Sequence, residues 1–171
     1  MPHKKTARIL AIDPGTRHMG VAVLEGKELV YHGVETIRNR RPPHQRLREC
    51  RRRVIRLVND FRPNLLAIEK PFFANNRNVA LLNVLVDEIR ALARRQRLPL
   101  LGFAPSTVKK HICGNGRAGK KEVAKVVVAK YPELKVYLTQ DRAWKEKYHQ
   151  NMFDAVALGM IALRPRTVSR S

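Results

Sequence analysis

The chain has 171 residues, with 35 Lys+Arg against 14 Asp+Glu and a formal net charge of +21. Its 44% hydrophobic content supplies a core, which excludes intrinsic disorder. The length suits one domain over 1–171, with flexible ends at 1–7 and 164–171. No apolar run reaches the roughly 18 residues of a membrane span. Ile9-Leu10-Ala11-Ile12, after a basic start, is too short for a secretion signal core. Cys50 and Cys113 are the two thiols, which fits a reducing cytoplasm and not a disulfide scaffold. The charge calls for a polyanionic partner, and nucleic acid is the default. Arg supplies 22 of the 35 cations, which favours bidentate phosphate contacts over simple solubility.

Arg8 to Ile12 predicts a first strand, closed by the turn signal Asp13-Pro14-Gly15. Met19–Leu24 and Leu29–Ile37 predict two more strands in an antiparallel meander. From His44 to Phe61 the period becomes helical: Leu47, Cys50, Val54 and Leu57 or Val58 recur, with Arg46, Arg48, Arg52, Arg53 and Arg56 opposite. Leu65–Ile68 reads as a buried strand ending at Glu69, and Val79–Arg97 as a helix with a stripe of Leu82, Leu85, Ile89 and Leu92. Leu98–Phe103 predicts a fifth strand. A short helix opens at Pro105 with Ser106 or Thr107 as its cap. A Gly-rich basic loop spans 113–119, a helix Lys120–Lys130, and a second apolar helix Asn151–Leu163. The polar stretch 131–148 has no clear period. This order indicates an α/β layer fold.

Acids are scarce, so their positions are informative. Asp13 ends the first strand, Glu69 ends the fourth, and Asp154 interrupts an apolar helix. Singly, each has an ordinary explanation: a turn residue, an ion-pair partner of Lys70 or an Arg, an acid near a helix N-terminus. Jointly they suggest a site. If the first and fourth strands are parallel neighbours, Asp13 and Glu69 emerge at the sheet edge where α/β folds place ligands, and the last helix can bring Asp154 to them. Three carboxylates around one point repel, and a hard cation such as Mg²⁺ relieves this. Two such ions about 3.5–4 Å apart clamp the attacking and leaving oxygens of a phosphodiester.

Five segments in order, Ile12-Asp13-Pro14-Gly15-Thr16, Ala67-Ile68-Glu69, Phe72-Phe73-Ala74-Asn75-Asn76, Ala104-Pro105-Ser106-Thr107-Val108-Lys109 and Asp154-Ala155-Val156-Ala157-Leu158, resemble the RuvC Holliday-junction resolvases over about residues 8–163. The resemblance implies a ribonuclease-H-like α/β fold with a five-stranded mixed sheet flanked by helices. It implies a homodimer that nicks four-way DNA junctions symmetrically with two Mg²⁺ per site, Mn²⁺ substituting, alongside a branch-migration motor in the nucleoid. Carried over by position, Asp13, Glu69 and Asp154 are metal ligands. The fourth position, usually Asp or His in this family, is Asn151 here. An amide offers one carbonyl oxygen to Mg²⁺ but no charge and no base. Either three acids suffice, with His149 assisting, or Asn151 marks an inactivating change.

Phe72 aligns with the family's wedge, and Phe73 adjoins it. Stacking on an unpaired base is worth about 1–3 kcal/mol; packing in a core or lid is the alternative. Lys109 and Lys120 match positions that contact the scissile region, with Lys120 offsetting transition-state charge. Arg77, Lys110, Arg117, Lys121 and the first helix's Arg face read as backbone-phosphate contacts. The leucine stripe of the second helix is either the dimer element or a cover for the sheet. Gly114 to Lys121 imitates a P-loop but lacks its Ser/Thr and its preceding strand. Two further readings stay open: a broader nuclease of forks, flaps and three-way junctions, and a non-cleaving binder of branched nucleic acid.

Overall fold

The computed structural model describes residues 6–38, 41–71, 77–139 and 142–164. Its sheet has five strands: β1 (Arg8–Asp13), β2 (His18–Glu25), β3 (Glu28–Thr36), β4 (Leu65–Glu69) and β5 (Leu100–Phe103). The helices are α1 (Pro43–Phe61), α2 (Arg77–Arg95), α3 (Pro105–Cys113), α4 (Lys120–Lys130) and α5 (Ala143–Ala162), with a 3₁₀ segment at Pro132–Tyr137. Strand order is β3-β2-β1-β4-β5. The meander is antiparallel, and β1–β4 and β4–β5 are parallel. The mixed sheet and its flanking helices therefore match the expected architecture.

Period-two alternation splits the strands between two cores. Ile9, Ala11, Ala22, Leu24 and Ala67 face α3, α4 and α5. Leu10, Ile12, Met19, Val21, Leu66 and Ile68 face α1 and α2. Cys50, Val54, Leu57 and Val58 are the buried stripe of α1, as its period predicts. Leu85, Ile89 and Leu92 of α2 are buried against the sheet, so the leucine stripe covers the chain's own core.

Two expectations need correction. Neither Ser106 nor Thr107 caps α3: Ala104 is its N-cap, and Pro105 opens the helix with the fixed φ that suits a first turn. The last helix starts at Ala143, eight residues before Asn151, and the 3₁₀ segment takes up part of the unassigned stretch. Polar residues enter this early part of α5 because Tyr148 and His149 pack there on Tyr137 and His18. The loop 114–119 runs between α3 and α4, with no strand before it, which removes the P-loop reading structurally.

Candidate active site

Asp13 and Glu69 are the last residues of two adjacent parallel strands. They lie one step beyond the paired Ile12 and Ile68. By alternation both point to the face that carries α5, as Ala11 and Ala67 do. Gly20 pairs with Asp13 on the neighbouring strand. A Cβ on Gly20 would collide with the backbone carbonyl of Asn151. The bare backbone of Gly20 is thus what lets α5 lie directly on the sheet beside Asp13. Asp154 is the twelfth residue of α5, one turn after Asn151. It is well inside the helix, so attraction to the N-terminal dipole does not account for it.

The electrostatics tie the three acids together. Burial, then the carboxylates of Glu69 and Asp154, push Asp13 well above the ordinary carboxylate range, against the opposing pull of Lys120. Burial and Asp154 push Glu69 up to about 7, opposed by Lys120 and Lys109. Burial also raises Asp154, while Lys120, a hydrogen bond from Gln150 and Lys109 act the other way. Gln150 Nε2 donates to Asp154 Oδ1 at 3.0 Å, and Lys120 Nζ stands 3.7 Å from Asp154 Oδ2. Glu69 has no ion pair among the described residues, so neither Lys70 nor an Arg neutralises it.

Of the expected site residues, Asp13, Glu69, Asp154, Lys109 and Lys120 come together. Asn151 is half-buried at the same end, with its backbone on Gly20. Lys110, Arg117 and Lys121 are exposed, Lys110 at the end of α3, Arg117 in the following loop and Lys121 at the start of α4. Arg77 opens α2, and Phe72 and Phe73 lie outside the described residues. His149 packs on Tyr137 at 4.7 Å and edge-on against Tyr148 at 5.1 Å, and burial, then Lys145, hold its pKa below the ordinary histidine value. Sequence reasoning missed Gln150. Its spacing of four from Asp154 on one helix was the available signal.

A donor set made only of carboxylate oxygens, with repulsion to relieve, suits a hard divalent cation. As they lie, no three His, Cys, Asp or Glu side chains among the described residues are grouped closely enough to hold a metal ion. A five-stranded mixed sheet with two acids at its parallel centre, facing a third on a helix laid across it, defines a ribonuclease-H-like α/β fold with an acidic site.

The family model described as crossover junction endodeoxyribonuclease RuvC matches residues 9–143. A protein of that name from Maricaulis maris is 38% identical over 138 residues, 76% of this chain and 81% of the relative. Another, from Bacteroides fragilis, is 35% identical over 121 residues, 68% of this chain and 64% of the relative. Among solved structures, Thermus thermophilus RuvC in complex with Holliday junction substrate superposes with a TM-score of 0.70 at 24% identity, covering 92% of this chain and 95% of that one. The yeast mitochondrial Holliday junction resolvase gives 0.70 at 16% identity, covering 95% and 80%. The chain belongs to the RuvC family of crossover junction endodeoxyribonucleases, which are metal-dependent nucleases. The family match ends before Asn151 and Asp154, so these two are placed by the fold and not by that match.

Proposed function

We propose that this chain resolves four-way DNA junctions by paired symmetric nicks made at the Asp13–Glu69–Asp154 site. The observation that carries this is the convergence of three carboxylates inside a chain of net charge +21. Asp13, Glu69 and Asp154 would hold two Mg²⁺ ions, or Mn²⁺ in their place, with the Asn151 carbonyl oxygen as a neutral fourth donor. Bound divalent ions would supply positive charge at the scissile phosphate and an activated water. Gln150 fixes one oxygen of Asp154 and leaves the other beside Lys120. Lys120 and Lys109 set positive charge at the mouth of the site, where phosphate charge grows during hydrolysis. Lys110, Arg117, Lys121 and Arg77 hold backbone phosphates, and Phe72 and Phe73 wedge the crossover.

A homodimer suits a two-fold substrate. It would meet on a face of α2 other than the buried leucine stripe, where Val84 is 47% exposed. A branch-migration motor would deliver junctions to it. The free thiols of Cys50 and Cys113 suit a reducing compartment shared with the nucleoid. No helix of the described residues is long and apolar enough to cross a membrane.

The test is a panel of four-way junction, fork, flap, duplex and RNA substrates with Mg²⁺, Mn²⁺ or EDTA. Paired symmetric cuts in the junction alone are expected, with none in EDTA. Asp13→Asn should abolish cutting and keep junction binding. Cuts across the whole panel would favour the broader nuclease, and binding without cuts the non-cleaving binder. Retained cutting by Asp13→Asn would remove the metal assignment.

A further inference from the structure

Away from the acids, Arg38, Arg41, Glu49, Arg52, Arg53 and Arg56 line a pocket of about 390 Å³. That lies within the ~300–1,000 Å³ range of small-ligand sites. Two glutamates organise it. Glu35 is 6% exposed and Glu49 8%, the described charged residues that are fully buried. Arg53 Nη1 donates to Glu35 Oε2 at 2.5 Å and Arg53 Nη2 to Glu49 Oε1 at 3.2 Å. Arg56 Nη2 donates to the other Glu35 oxygen at 3.0 Å. Arg41 stands looser, 3.9 Å from Glu49 Oε2. Arg38 and Arg52 are exposed and form no ion pair among the described residues.

Burying a carboxylate costs several kcal/mol unless it is paired. Here the pairing fixes two guanidinium planes and still leaves an excess of charge. Five guanidiniums face two carboxylates, so three positive charges are unbalanced. A guanidinium fork matches the oxygens of a phosphate, and a pre-set fork loses less entropy on binding. Scattered solubility charges would need neither the buried glutamates nor the pocket.

The position suggests which phosphate. β3 runs parallel to β1, two strands away, and its C-terminal end leads through Arg38 and Arg41 into α1. The pocket therefore opens at the same edge of the sheet as Asp13. It is displaced sideways by about 10 Å at normal strand spacing. It lies on the α1 side, whereas the acids face α5. One continuous nucleic acid lying along that edge can reach both.

We propose that this pocket holds a backbone phosphate of a DNA arm away from the cut, gripped by Arg38 and Arg52 over an Arg53–Arg56 floor that Glu35 and Glu49 hold in place. This rests on the branched-DNA reading given above. The test is the double variant Arg38→Ala with Arg52→Ala, compared with the parent by fluorescence anisotropy on a labelled linear duplex and a four-way junction between 50 and 200 mM salt. The slope of log affinity against log salt should fall by about 1 to 2, and binding at 0.1 M salt should weaken roughly tenfold. A thermal melt checks that the variant is folded. An unchanged slope and affinity in a folded variant would overturn the proposal. Pyrophosphate binding that the variant loses, with an unchanged DNA slope, would overturn it in favour of a free phosphate anion. A parent that neither prefers nor cuts junctions would sink the resolvase reading alone, because the duplex slope still reports the pocket.

Discussion

Glu69 shows what convergence does to a single side chain. Its carboxyl ionises at about 7 when folded, against an ordinary 4.5, because burial and Asp154 oppose its charge. A carboxyl raised in this way weakens the folded state as pH climbs from about 4.5 through about 7, since the unfolded chain gives up its proton first. Glu69→Gln should therefore melt higher than the parent in EDTA at pH 8. The gain is about 1–2 kcal/mol, or roughly 3–6 °C for a chain of this size. The difference should vanish near pH 4.5, and an equal gain at both pH values would contradict the assigned cause. Asn151 is the reverse case, a neutral amide at the position where the resemblance implies Asp or His. Asn151→Asp adds a fourth carboxylate one turn before Asp154. Ligand charge count tunes metal affinity, so the Mg²⁺ needed for half-maximal junction nicking should drop about tenfold. No gain, or a loss, in a Mg²⁺ titration would show that three acids suffice.

The elements position these side chains through a few close approaches. α5 meets the sheet at Gly20, which lies against Asn151, and through its own Gly159, where an added Cβ would strike Leu24 of β2. The first of these sets how near Asp154 comes to Asp13 and Glu69. Gly20→Ala puts a methyl against backbone, which cannot rotate away. Overpacking of this kind costs about 1–3 kcal/mol. We expect that loss in a urea titration, with junction cleavage falling further than stability alone explains. A variant with full cleavage and full stability would mean that α5 docks elsewhere. α1 was legible as a helix from its 3.6-residue period, yet its Arg face is not one uniform contact surface. Arg53 and Arg56 are drawn back onto Glu35, a residue 18 and 21 positions away in sequence. No local pattern announces that pairing.

Across the whole molecule the charge divides into two roles. The basic majority attracts polyanion, and three of the 14 acids gather at one sheet edge within that field. Much of this was readable from residue order. Alternating apolar runs, a period change at His44 and Pro-Gly breaks marked the elements, because these signals are local. The strand-end positions of Asp13 and Glu69 were equally plain. Helix α5 was legible only from Asn151 onward. Its first turns are polar, and their partners, Tyr137 and His18, come from distant elements. Residue types and spacing thus determined the elements, the charge plan and the identity of the acids. The parallel pairing of β1 with β4, the seating of α5 on Gly20 and the glutamate-ordered arginine pocket were decided by folding. Each depends on backbone proximity between segments far apart in the chain, which no single stretch of sequence encodes.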